Sequence, residues 1–423
     1  MKTLLPVLCA MMMLAEFAAT QSTTLAASEL SRAAQDIAGA RQVISEKPTE
    51  YTGYNLLATA LVHHAEETYD ASFYARAEEA LKKSLQLAPN NFDGEKIEVS
   101  ILLGQHEYVN ALKLATALNK RVPDDVMVYG LLTDANVELG NYKDAEVSAQ
   151  WMLDLRPGNL PALIRAAHLR ELFGDAEGAY ELMDMAYQST PATEIAERTS
   201  LLTQMGHLRL ASGSPDSAEK LFEQALTTLP THPAALGNLA ELRITQKRYA
   251  EAVTLLEQRY QAQPRAENLY DLAEALQFAG RDAEAKEAFA DFETKAQAHS
   301  GPKDNSNRAL VFYYADHAHQ PAKALDVAKA EYAWRHDVYT LDIYAWALHV
   351  NNQDVEARKQ IETALAVGIR DSKLFEHAGE IALRLGDRAA AQKYLQESAA
   401  LLAIGSEHAE LLLAQIQRPN AQR

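Results

Sequence analysis

His63, His64 and Glu66 stand together in "LVHHAEET", and His317 and His319 flank a single alanine. Either group could begin a metal site. Adjacent residues on a helix point about 100° apart, so His63 and His64 cannot easily reach one ion. The second pair precedes "QPAKA" and reads as solvated or helix-capping histidines. "GSP" at Gly213 to Pro215 and "GSE" from Gly405 are turns before helices, without the strand that a nucleophile elbow needs. There is no phosphate-cradling glycine loop, no G-x-G-x-x-G and no H-E-x-x-H. The expectation is a protein that is not an enzyme, with no catalytic residues, no metal site and no cofactor. An enzyme with a site between repeated helices is the least favoured alternative.

Charge and rings remain as the chemistry on offer. The chain carries 58 acidic and 40 basic residues, a formal net charge of -18. Such a surplus disfavours general affinity for nucleic acid or anionic lipid. With 48% hydrophobic and 23% charged residues, 423 residues can bury a substantial core.

The elements that must present these groups recur. In "GNYKDAEVSAQWMLDLRPGN", counting from Val126, Gly140 is at position 15, Ala145 at 20, Ala149 at 24 and Pro157 at 32. The alanine slot returns at Ala77, Ala111, Ala145, Ala179, Ala218, Ala252, Ala285, Ala324, Ala357 and Ala391, mostly 33 or 34 residues apart and twice 39. Each period reads as two helices of about four turns. Glycine at position 15 (Gly140, Gly174, Gly213, Gly280, Gly386) supplies the left-handed residue that ends the first helix. Alanine at position 20 lets the two helices cross closely. Proline at position 32, from Pro89 to Pro264, stops the second. One such pair cannot bury its apolar face alone, so neighbours must stack.

The pattern resembles the tetratricopeptide repeat family. "AALGNLAELRITQKRYAEAVTLLEQRYQAQP" carries Leu239, Ala240, Tyr249, Ala252, Leu256 and Pro264; "KLFEHAGEIALRLGDRAAAQKYLQESAAL" carries Gly379, Gly386, Ala391 and Leu395. The resemblance implies an all-α fold, a right-handed superhelical solenoid of about ten stacked helix pairs, spanning roughly residues 51–401. It also implies that positions 2, 5, 9, 12 and 13 face the concave side. Those slots include Asp134, Glu138, His168, Glu171, His207, Glu241, Tyr270, Glu274 and Phe278. Toward the C-terminus they include Tyr313, Asp316, His317, Tyr339, Asp342, Trp346, His349, Glu376 and Glu380. The expected groove is acidic, with few cations, and becomes aromatic toward the C-terminus. It suits a basic or mixed apolar segment of a protein or peptide partner. Arg165 and Asn238 fall at position 6, but their paired cations are missing, so no clamp for a terminal carboxylate is expected.

Residues 1–27 read as a signal peptide, with the apolar run "LLPVLCAMMML" too short to span a bilayer comfortably. Cys9, the only cysteine, lies in it, and Leu8 before it argues against lipid attachment. The further division is a capping helix at 28–50, about seven repeats at 51–296, a linker or hinge at 297–308, about three repeats at 309–401, and a capping helix and tail at 402–423. The expected protein is exported, periplasmic or extracellular. It is a non-enzymatic scaffold that binds protein or peptide, without an integral membrane span in the mature chain. A cell-envelope assembly or export factor for polysaccharide, pilus or cytochrome biogenesis is the alternative.

The register makes a direct claim on packing. Ala145→Leu should overpack one helix crossing and lower stability by about 1–3 kcal/mol. An unchanged urea midpoint would contradict the assigned slot.

Overall fold

The computed structural model describes residues 32–68, 70–299, 306–401 and 406–417. The signal-peptide reading at 1–27 and the centre of the expected linker, 300–305, lie outside the described residues. Every element among the described residues is a helix.

The chain forms two compact units, one ending at Pro123 and the other starting at Asp124. The first holds α1 (Arg32–Glu46) and two helix pairs, α2 (Tyr51–Thr68) with α3 (Ser72–Leu87) and α4 (Phe92–Gly104) with α5 (Tyr108–Arg121). The second begins with α6 (Val126–Glu138) and α7 (Tyr142–Leu155), α8 (Leu160–Leu172) and α9 (Ala176–Ser189), and α10 (Ile195–Ala211) and α11 (Pro215–Thr228). Next come α12 (Pro233–Thr245) and α13 (Tyr249–Ala262), and α14 (Ala266–Phe278) and α15 (Asp282–His299). Then α16 (Asn307–Phe312) runs into a π-helical turn, Tyr313–His317, and pairs with α17 (Pro321–Tyr332). Last are α18 (Val338–Val350) with α19 (Asp354–Leu365), α20 (Ser372–Arg384) with α21 (Arg388–Ala400), and the closing α22 (Ser406–Gln417). Within each unit these pairs stack in the manner of an all-α solenoid. Both 39-residue periods lengthen helices: α10 runs 17 residues and α15 runs 18.

The crossing alanines Ala77, Ala111, Ala145, Ala179, Ala218, Ala252, Ala324, Ala357 and Ala391 are wholly buried, and Ala285 nearly so. Beside them, positions 8 and 24 trade volume. Gly206 faces Phe222, and Gly379 faces Leu395, each so closely that an added Cβ would lie 2.4 or 2.6 Å from the larger side chain. Where position 8 carries Val99, Thr133 or Phe312, position 24 is Ala115, Ala149 or Ala328. The sum of the two volumes stays near what a close-packed crossing holds.

The turn slot at position 15 is left-handed in every repeat from α4 onward. Gly140, Gly174, Gly213, Gly280 and Gly386 have φ between 70° and 81°, and His106, Lys247, His319 and Asn352 take the same conformation with φ between 52° and 61°. Tertiary packing thus holds four non-glycine residues where sequence alone shows no signal.

Within the second unit, successive superhelical turns touch. The loop before α18 reaches the α6–α7 turn: His336 N donates to Glu138 O (3.0 Å) and Val338 N donates to the Tyr142 hydroxyl (2.8 Å). Gly140 lies against the His336 carbonyl, and Gly174 against the Gly368 carbonyl; a Cβ at either would sit 2.7 or 2.5 Å from that oxygen. Both glycines therefore serve the helix turn and the contact between turns. Gly213, with φ 75° and open space around it, serves only the first.

Gly213→Ala should cost about 1–2 kcal/mol from backbone strain alone. Gly174→Ala should cost distinctly more, because it also forces the two turns apart. Equal losses in urea melts of the two variants would contradict the close contact.

Candidate functional site: a cavity of mixed charge

The concave side of the second unit lies beside these contacts. Inside lies a cavity of about 960 Å³, bounded by α12 and α14 on one side and by α16, α18, α20 and α22 on the other. Two side cavities of about 300 and 340 Å³ adjoin it, and Glu241 lines all three.

The residues expected in the groove divide into three sets. Glu171, His207, Glu241, Tyr270, Glu274 and Tyr339, with Phe278, line these cavities. Asp134, Glu138 and His168 do not. Asp134 is held by a two-pronged pair with Arg165 (2.7 and 2.6 Å). Glu138 is 2.6 Å from Arg335 Nε in the contact between turns, and His168 is exposed. Tyr313, Asp316, Asp342 and Trp346 form the third set, packed between helices. The Tyr313 hydroxyl donates to Glu293, and its ring stacks on Phe289. Trp346 Nε1 donates to Asp316 (2.8 Å), while its ring stacks on His377 at 4.2 Å between centroids. Asp342 pairs with His377 Nδ1 at 2.7 Å, both wholly enclosed. Their spacing is that of groove residues, but packing between helices buries Asp342 and Trp346 and leaves Tyr313 and Asp316 half-buried beside them.

The expectation of few cations is not met. Arg265, Arg308, Arg335, Lys373 and Lys247 all reach the main cavity. The Arg308 guanidinium lies 4.2 Å over the Tyr339 ring, and Lys373 Nζ lies 4.1 Å over Phe312. Lys373 occupies position 2 of its repeat, a groove position, and was therefore within reach of the register. Arg308 falls at position 4 of its repeat, which is not a groove position, and Arg335 sits in a loop. Only the return of the superhelix brings Arg335 to Glu138, almost two hundred residues earlier in the chain.

Burial and pairing set the charge states. Burial pushes the Glu241 carboxyl above its usual range; Asp371 and Asp271 add to this, and His207 and Arg259 oppose it. Burial likewise raises Glu331 to about 7, against the Asn307 hydrogen bond and Arg335. For Glu274 the upward push of burial is outweighed by His317, Lys373 and the Tyr270 hydroxyl. Tyr270 itself is raised well above the phenol range by burial beside Glu274.

One cluster among the described residues has metal-ligand spacing: Glu376 and Glu380, one turn apart on α20, and His408 on α22 have ligand atoms within 4.8 Å of one another. His408 Nε2 is already in hydrogen-bond contact with Glu380 at 3.1 Å, and we assign no ion there.

The Glu171–His207 pair gives a pH signature. Burial raises Glu171 and lowers His207, but hydrogen bonds from His168 and His207 hold Glu171 at about 2, and the Glu171 bond lifts His207 to about 9. Taking 4.5 and 6.5 as unfolded values, the pair stabilises the fold fully between those pH values. The His207 part is lost as pH rises from 6.5 through about 9, and the Glu171 part as pH falls from 4.5 through about 2. An NMR titration should place the His207 imidazole near 9 and show it falling in Glu171→Gln. An ordinary value in the unchanged chain would refute the pairing.

A family model described as "Tetratricopeptide repeat" matches residues 209–268. Cellulose synthase operon protein C of Xanthomonas axonopodis pv. citri is 35% identical over 107 residues, 25% of this chain and 7% of that protein. A TPR repeat-containing protein of Methanocaldococcus jannaschii is 26% identical over 156 residues, 36% of this chain and 26% of that one. This chain therefore spans only a small part of either relative's length. Among solved structures, the human IFIT1 dimer with PPP-AAAA is 16% identical, with a TM-score of 0.47, covering 82% of this chain and 90% of that one.

Proposed function

We infer that this tetratricopeptide repeat protein is a non-enzymatic scaffold, exported to a periplasm or out of the cell, that receives a protein or peptide segment in the cavity of its second unit. The cavity carries the reading. A volume of about 960 Å³ lies within the range that holds a ligand or a few peptide residues. Its wall combines carboxylates, cations and rings, the mixture that recognises a charged and partly apolar chain.

The export part rests on the N-terminal apolar run. No helix among the described residues is long and apolar enough to cross a membrane. A role in envelope polysaccharide assembly or export is the second reading, favoured by the printed name of the Xanthomonas relative. The two differ in the partner, not in the physics of the site.

A photo-crosslinking residue at Phe278 probes the cavity; one at exposed Val147 on α7 probes the outer surface. In cells that express the chain, the partner should be joined from position 278 and not from 147, in the periplasmic or extracellular fraction. Adducts from 147 alone would move the site to the outer surface. Adducts from neither would remove the scaffold reading.

A further inference from the structure

The groove carboxylates of the second unit are nearly all matched. Asp134 has Arg165, Glu138 has Arg335 and Glu171 has His207. Glu274 has the Tyr270 hydroxyl and His317, Asp316 has the Trp346 indole, and Asp342 has His377. Asp271, between them on the cavity wall, has Arg259. Glu241 has no hydrogen-bond or ion-pair partner among the described residues, yet it stands where all three cavities meet.

Its surroundings do not compensate it. The nearest cations, His207 and Arg259, are already engaged with Glu171 and Asp271. The other close charges, Asp371 and Asp271, are negative and disfavour its ionised form. Glu376 is also without a hydrogen-bond partner, but Lys373 stands one turn before it on α20 and His408 beside it. Desolvating a lone carboxylate is unfavourable unless a cation arrives to meet it. Rings complete the surroundings: Phe278 lines two of the three cavities with Glu241, stacked on Tyr249 at 6.0 Å, and Tyr339 lines the third. A cation entering there meets one free carboxylate and aromatic faces.

We propose that Glu241 is the anchor for an ammonium or guanidinium group carried into the cavity by a peptide. This deepens the scaffold reading and rests on it. Two sources share the chemistry, the side chain of a lysine or arginine and a free amino terminus. The remaining cavity charges bear on what flanks that group. Arg308 and Lys373, each over a ring and without an ion-pair partner within 4 Å among the described residues, would favour an acidic or carboxylate group elsewhere on the same peptide. The guest is thus a mixed-charge peptide with a basic group at its deepest point.

The test uses the full chain and two positional-scanning octapeptide libraries, one with free and one with acetylated amino termini, with binding read by fluorescence anisotropy. The expected result is selection of Lys or Arg at one position, and about tenfold or greater weakening of the best peptide by Glu241→Gln. Glu376→Gln should leave that basic preference in place. Retention of binding with acetylated peptides identifies a side-chain cation; its loss identifies the amino terminus. Peptides bound without basic preference, or equally well by Glu241→Gln, would overturn the anchor and leave the scaffold standing. No binding by either library would overturn both. Glu241→Gln removes an uncompensated charge, so its melting midpoint should not fall. A fall would mean that Glu241 has a structural partner and would refute the anchor.

Discussion

The contact between successive superhelical turns is the constraint on which the site depends. Two left-handed glycines, Gly140 and Gly174, bring backbone within reach of the carbonyls of His336 and Gly368, at a separation that no side chain would permit. Around the first contact, Arg335 reaches Glu138 and Asp337, and the Tyr142 hydroxyl meets the first amide of α18. Without this contact the inner face would be an open trough wetted along its length. With it, the same residues surround a cavity in which charges are partly desolvated and each unpaired group matters.

Desolvation then explains why cavity charges occur in pairs. A carboxylate exposed along an open groove needs no partner. Where the wall is partly desolvated it must find one, be protonated or await one. On the cavity wall Arg259 meets Asp271, His207 meets Glu171, and Arg335 stands within 4 Å of Glu331. The acidic excess of the chain is therefore a poor guide to the field a ligand meets, because much of the inner acidity is already neutralised.

The fold was legible in the sequence because its strongest constraint repeats. A helix crossing that admits only alanine leaves the same letter every 33 to 39 residues, from Ala77 to Ala391, and the structure buries every one. The left-handed turn was legible only where glycine marks it; His106, Lys247, His319 and Asn352 adopt it without such a mark. For the site, Glu171, Glu241, Glu274, Tyr270 and Tyr339 were placed by register alone. Asp342 and Trp346 obey the same register but are buried, since position within a helix does not reveal how closely the next pair packs. Arg335 was beyond reach, because its role depends on two turns meeting across almost two hundred residues.

The reciprocal volumes at positions 8 and 24 link these levels. A small residue at position 8 meets a large one at position 24 in Gly206 with Phe222 and Gly379 with Leu395, and the sizes are exchanged in Phe312 with Ala328. Repeating the same crossing residues from pair to pair favours a regular stack. The helix pairs from α6 to α18 then carry one turn back onto another within ångströms. A solenoid with irregular crossings would drift, and Gly140 and His336 would not meet. Local packing of the crossings thus underlies the long-range contact, and that contact in turn makes an unpaired Glu241 consequential.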